Sequence, residues 1–267
     1  MPIITLITDW HNHDHYLSAL KGKLLGQLPN VRIVDITHQI PAFGYIRAAF
    51  VLRNCYRSFP TGTIHLVGVN SEASLQTPHV AISHDGHYFI GADNGMFGLM
   101  FNSDPEKAVK LIHDSESTFP EYDIFAEVAI FLANNGSFDE LGPVHNKLHL
   151  PAPLLATIDE TIINGSVIYI DSYSNAITNI SRHTFEKTAK NRRFEILVQS
   201  NYNKITKINK FYHETAKGDL LALFNSSGLL EVAVNNGNAA DLMSLNLGSI
   251  VRVKFLDTPE REELLLI

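Results

Sequence analysis

Apolar residues along the first half of the chain switch repeatedly between two periods. Residues 3–8 (IITLIT) form a β-branched run that stops at Asp9. Apolar positions then recur at helical spacing, Leu17, Leu20, Leu24 and Leu28, which predicts a helix over 16–28. Residues 31–36 read as a strand, 46–55 as a helix, and 63–69, 80–83 and 87–90 as further strands by β-branched content. Asp93-Asn94-Gly95 is a turn signal, and 124–132 an amphipathic helix with Gly136 just past its end. This alternation predicts an α/β domain with a mainly parallel sheet. In such sheets ligands sit beyond the carboxyl ends of strands, where Asp9 and Asn70 fall.

The texture changes at 142–153, where Pro143, Pro151 and Pro153 punctuate a stretch with no period. Strand-like runs dominate beyond it, at 166–170, 194–198, 220–224, 229–234 and 250–255. The turns between them, 172–175, 225–228 and 235–238, are rich in Asn, Ser and Gly. The pattern predicts an α/β domain over 1–150 and a smaller all-β domain over 151–267.

Composition narrows the function classes. With 45% hydrophobic and 18% charged residues, a sizeable core is available and global disorder is excluded. Net charge is −7 and no Lys/Arg run stands out, so a nucleic-acid or anionic-membrane surface is not expected. Cys55 is the only cysteine, which excludes an internal disulfide or a Cys-rich zinc site. The opening MPIITLITDWHNHDHY lacks a basic segment leading into a long apolar stretch, and no window suits a membrane span. The expectation is a soluble, cytoplasmic protein.

Candidate chemistry gathers at three places. His11, His13 and His15 alternate with polar residues between Asp9 and Tyr16, and H-x-H-D-H falls one residue short of a di-metal hydrolase motif. Solvated loop histidines are the simpler reading, and no metal is expected. Asp9, at a strand end, can accept both hydroxyls of a ribose or serve as a helix cap. Residues 171–179 hold an acid, an aromatic and two amides, a set that can read a purine edge or simply form an Asx turn. Asn225-Ser226-Ser227-Gly228 reads first as a hairpin turn.

Taken together these segments have a familiar order. ITLITDWHNHDHYLSALKGKL, Val34-Asp35-Ile36-Thr37-His38-Gln39-Ile40-Pro41, Phe59-Pro60-x-Gly62-Thr63 and Ala92-Asp93-Asn94-Gly95 come first. Asp123-Ile124-Phe125-Ala126, Glu140-Leu141-Gly142-Pro143, Ile170-Asp171-x-Tyr173-x-Asn175-x-x-Thr178-Asn179 and Asn225-Ser226-Ser227-Gly228-x-Leu230-Glu231 follow. The chain resembles, over nearly its whole length, the S-adenosylmethionine (SAM) hydroxide adenosyltransferase family, which includes SAM-dependent chlorinases and fluorinases.

The resemblance implies an α/β domain followed by a β-barrel-like domain, and a homotrimer with SAM between neighbouring subunits. It implies displacement of methionine from ribose C5′ by water or halide, with SAM as substrate or ligand and no cofactor. By motif, Asp9 would bind the ribose hydroxyls, Phe43 would wall the ribose, and Asp14 and Asp171 would hold the methionine ammonium. Asn175, with Tyr173 beside it, would read adenine, and Ser226 would hold the methionine carboxylate.

One set departs from the family. Water-using members carry D-P-G-V-G, a following Arg, and F-H-G-R-D. Here the segments read Asn70-Ser71-Glu72-Ala73-Ser74, with no Arg in reach, and Phe119-Pro120-Glu121-Tyr122-Asp123. Glu121 stands where the halide pocket has a small neutral residue. An ionised carboxylate 4 Å from a halide costs about 4 kcal/mol at an effective dielectric of 20, which disfavours halogenation. The expected catalytic pair is therefore Asn70 and Glu121, positioning water. A SAM- or adenosine-binding protein without the chemistry, or transfer to another nucleophile, stays open.

Overall fold

The first strand, β1 (Ile3–Thr8), buries residues on both of its faces, as a central strand of a layered sheet does. The computed structural model describes residues 1–101, 104–113, 117–152 and 155–256. The chain divides into two units, Met1–Pro153 and Leu154–Ile267. In the first, β1 pairs in parallel with β2 (Arg32–Thr37) and β3 (Ile64–Gly68), and β3 pairs in parallel with β5 (His87–Ala92). Two further strands, β4 (His79–His84) and β6 (Lys107–Lys110), complete the order β2-β1-β3-β5-β4-β6.

The sheet is mixed: its β1, β2, β3 and β5 pairings are parallel, and two antiparallel pairings are added to the mainly parallel sheet expected. Strand β4 runs antiparallel to both β5 and β6. The cause is the Asp85-Gly86 pair between β4 and β5, both left-handed at φ 51° and 73°. Two consecutive left-handed residues make the tight turn that closes a hairpin and leave no room for a crossover helix.

Helices cover both faces. Leu20 and Leu24 of α1 (Tyr16–Gln27) and Ala126, Ala129 and Ile130 of α4 (Ala126–Ala133) pack with Ile4 and Leu6 of β1. On the other face, α2 (Tyr45–Arg53) and α3 (Met96–Met100) bring Ala48, Leu52, Phe97 and Met100 against Ile7. Since β1, β2, β3 and β5 run the same way, their carboxyl ends share one edge. Asp9, His38, Asn70 and Asp93 all lie just past those ends.

Of the thirteen histidines, five are buried, and His65 is the most deeply so. His65 is fully buried, its Nδ1 2.7 Å from Thr5 Oγ1 and its ring stacked on Phe89 at 4.8 Å. Burial, with His87 beside it, lowers its pKa to about 3, so it stays neutral.

In the second unit, β7 (Thr157–Ile158) pairs with β8 (Ile162–Ile170), which is followed by β9 (Ala176–Ser181) and α5 (Arg182–Ala189). Then come β10 (Arg193–Val198), β11 (Lys204–Ile205), β12 (Ile208–Asn209), β13 (Leu220–Phe224) and β14 (Leu229–Val234). A short α6 (Ala239–Leu242) precedes β15 (Ile250–Leu256). The order β11-β10-β15-β8-β9-β14-β13-β12 curls into a nearly closed, barrel-like sheet around Ile163, Val167, Ile196, Leu230 and Val253. Helix α5 was not expected from periodicity. Only Phe185 and Ala189 are buried, and Phe185 packs edge-on against Phe194, Phe224 and Phe255. Its start is fixed by Ser181, which accepts a hydrogen bond from Thr184 N at 3.1 Å. Among the described residues, no helix is long and apolar enough to cross a membrane.

Candidate functional site

Asp9 leaves β1 where Thr8 pairs with Gly68, the last residue of β3. Its Oδ2 accepts two backbone N–H groups, from Phe43 at 2.8 Å and Asn70 at 3.2 Å. Both donors are left-handed, at φ 63° and 45°, and so is His11 at 59°. Asn tolerates this conformation, whereas for an aromatic residue it costs about 1–2 kcal/mol. The strain aims two donors at one oxygen and leaves Oδ1 without a partner among the described residues. Phe43 itself is exposed. Asn94 fixes the next turn of chain, donating from Nδ2 to both Val69 O and Asn70 O at 2.9 Å. Its neighbour Asp93 is spent structurally, accepting from His145 Nε2 at 2.8 Å and His149 N at 3.0 Å.

Glu121 opens a π-helical turn, Glu121–Phe125, that runs into α4. Such turns recur at functional sites because the extra residue rotates side chains out of helical phase. The side chain is 3% exposed and lies over Gly68. A Cβ at position 68 would come within 3.1 Å of Glu121 Cγ and Oε1 and 2.8 Å of Trp10 Cζ2. Glycine at the strand end is therefore what gives the carboxylate its place. Ser71 Oγ donates to Glu121 Oε1. Burial raises the Glu121 pKa to about 7, opposed by hydrogen bonds from Ser71 and its own amide and aided by the charge of Asp9. Trp10, against Phe119 at 5.4 Å and Tyr16 at 6.2 Å, walls this region with aromatic surface.

The first unit thus brings together Asp9, Phe43, Asn70 and Glu121. It does not bond Asp14 to them, and Asp14 lies in the exposed loop before α1. His11, His13 and His15 are exposed too, His11 Nδ1 lying 3.0 Å from Gln39 Oε1 and His15 stacking on Tyr16. Among the described residues, no three His, Cys, Asp or Glu side chains are grouped to hold a metal.

The second unit holds another constellation. Asp171 Oδ1 accepts from the backbone N of Tyr173 at 2.9 Å and of Asn175 at 2.8 Å, and Oδ2 accepts from Asn175 Nδ2 at 3.2 Å. This Asx turn connects β8 to β9, buries Asn175 and leaves the Tyr173 ring exposed. Ser226 is exposed in the β13–β14 turn, which Asn225 shapes by accepting from Ser227 N and Leu229 N. Asn225 also donates to Glu231 Oε2 at 3.2 Å, while Tyr212 OH donates to Glu231 Oε1 at 2.7 Å. Glu231 is 3% exposed. Its pKa is raised by burial and by Asp171, against the two hydrogen bonds.

Residues 4–142 match the SAM hydroxide adenosyltransferase N-terminal domain, and residues 165–252 match the C-terminal domain of the same name. The chain belongs to the SAM hydroxide adenosyltransferase family. It is 31% identical over 261 residues to the (R)-S-adenosyl-L-methionine hydrolase of Methanocaldococcus jannaschii, spanning 92% of this chain and 93% of that protein. To the (R)-S-adenosyl-L-methionine hydrolase of Thermus thermophilus it is 27% identical over 268 residues, with coverage of 94% and 98%. The crystal structure of an uncharacterized conserved protein from Thermotoga maritima shares the fold. Its TM-score is 0.84 at 24% identity, covering 95% of this chain and 100% of that one.

Four residues in the two constellations of this adenosyltransferase-family chain had no role from sequence reasoning. Ser71 and Asn94 hold the strand-end segment, and Tyr212 and Glu231 tie two loops. Glu231 could have been found: it is the lone acid in the apolar run Leu229–Val234. Ser71 gives no local signal, since its partner is 50 residues away in sequence.

Proposed function

We propose that this chain hydrolyses SAM to adenosine and methionine through attack of water on ribose C5′. The observation that carries the reading is the pair of acids at one strand edge. Asp9 offers an open oxygen, and Glu121, within its electrostatic reach, titrates near neutrality. Both relatives named above are (R)-S-adenosyl-L-methionine hydrolases, which supports the same reaction and recommends the R sulfonium epimer as substrate. A sulfonium leaves readily and needs no acid. The protein has to align water opposite sulfur, exclude other solvent and accept one proton.

In this reading Asp9 accepts the ribose hydroxyls, Phe43 walls the ribose, and Asn70 and Glu121 position the water. Asp14 and Asp171 hold the ammonium, Ser226 the carboxylate, and Asn175 with Tyr173 the adenine. We further propose a cytoplasmic homotrimer, to be tested by light scattering for a mass of three chains.

A SAM-binding protein without the chemistry is the second reading. It is favoured by Asn70 in place of an Asp, by Pro120 in place of a His and by the missing Arg. Mass spectrometry of the protein incubated with (R)-SAM without halide, beside a boiled control, separates the two. Adenosine and methionine released in proportion to protein support hydrolysis. Intact SAM retained on the protein supports the second reading.

A further inference from the structure

Glu121 is buried behind a more exposed hydroxyl. Glu121 is 3% exposed and packed over Gly68, which Trp10 also approaches, while Ser71, which donates to its Oε1, is half-buried. An ionised carboxylate only accepts hydrogen bonds, so the Ser71 hydrogen is committed to Glu121 and the lone pairs of Ser71 Oγ face other partners. Among the described residues, no donor to Ser71 Oγ is found.

The segment carrying Ser71 is also held rigidly for a loop between β3 and β4. Asn70 N is tied to Asp9, Asn70 O to Asn94, and Ser71 O accepts from His79 Nε2 at 2.8 Å. That bond requires the proton on His79 Nε2. His79 Nδ1, 3.2 Å from His113 Nε2, is then the acceptor. Three backbone anchors, two on Asn70 and one on Ser71, hold the segment that sets the Ser71 hydroxyl against the buried carboxylate of Glu121.

We propose that Ser71 is the residue that contacts the attacking water and relays its proton to Glu121. The proposal rests on the reading that this chain hydrolyses SAM. The water oxygen bonds to C5′ as the C5′–S bond breaks, and methionine leaves with sulfur as a neutral thioether. One water proton passes to Ser71 Oγ while the Ser71 hydrogen passes to Glu121 Oε1. The other water hydrogen stays on adenosine as its 5′-hydroxyl. Glu121 then returns its proton to solvent. Ser71 makes no net gain or loss, and no co-reactant is needed.

Steady-state release of adenosine from (R)-SAM by wild type, Ser71→Ala and Ser71→Thr tests this. General acid–base groups contribute on the order of 10²-fold or more, so Ser71→Ala should lose about 100-fold in kcat with KM within about threefold of wild type. Ser71→Thr, which keeps the hydroxyl, should retain most of the rate. Adenosine release by Ser71→Ala at the wild-type rate overturns the relay while leaving the hydrolase reading intact. Equal losses in the Ala and Thr variants also overturn it, since loop packing and not the hydroxyl would then matter. No adenosine from wild type overturns the hydrolase reading, and the relay with it.

Discussion

Glu121 in the first unit and Glu231 in the second are both 3% exposed, yet they are held in opposite ways. Each oxygen of Glu231 has its own side-chain donor, Tyr212 OH on one and Asn225 Nδ2 on the other, and those donors come from separate loops. Glu121 has one side-chain donor, Ser71, and sits within the field of Asp9. Burial raises both carboxyls, and Glu121 is brought to about 7 with the charge of Asp9 adding to the rise. The difference teaches that partner number separates a buried acid that fastens structure from one left able to move a proton. Glu231 spends its acceptors on fixing two loops. Glu121 keeps a protonation equilibrium within the range where a general base works.

Exchanging each acid for its amide breaks this contrast most sharply. Glu121→Gln should lower kcat for adenosine release by about 10²–10³-fold with little change in KM, because an amide cannot take the proton. Wild-type kcat in that variant would remove Glu121 from the chemistry.

Thermal melts give the next effect. Between the ordinary carboxyl value of 4.5 and about 7, the folded protein keeps a proton that the unfolded chain has released. Stability therefore falls as pH rises through that window and levels off above it. Glu121→Gln removes the loss, so it should stabilise the protein by on the order of 3 kcal/mol at pH 8 and hardly at all at pH 4.5. An equal gain at both pH values would mean that Glu121 is not held as described.

Smaller effects belong to the second unit. Tyr212→Phe leaves Glu231 Oε1 without its donor and should cost about 1–2 kcal/mol in denaturant unfolding, at unchanged kcat. Glu231→Gln keeps an acceptor for Tyr212 but loses the one facing Asn225. It should raise KM for SAM by roughly tenfold or less, since a typical hydrogen bond contributes about 1 kcal/mol. A fall in kcat with KM unchanged would place Glu231 in the chemistry and erase the distinction.

Much of the frame was legible because it is written in local patterns. β1, α1 and β2 follow from β-branched runs and from Leu20 and Leu24 at helical spacing, and Asp9 and Asn70 fall at strand ends by the same reading. The Asx turn at Asp171 is local as well. What escaped depends on distance or on absence. Helix α5 buries too few residues to show a period. The Asp85-Gly86 turn, which the reading of two separate strands at 80–83 and 87–90 passes over, reverses a strand and makes the sheet mixed. Glu121 was singled out by its place in a motif, but its burial depends on the missing side chain at Gly68 and on Ser71. No window of sequence joins those positions.

The most direct test of the central claim is the pH dependence of kcat for adenosine release from (R)-SAM between pH 5 and 9. His79, whose pKa burial lowers, is neutral throughout the upper part of that range, so it adds no step there. With Glu121 as the proton acceptor, kcat should rise tenfold per pH unit below about 7 and reach a plateau above it, and Glu121→Gln should lack that rise. A wild-type profile that is flat across pH 7, or falls as pH increases, would contradict the account.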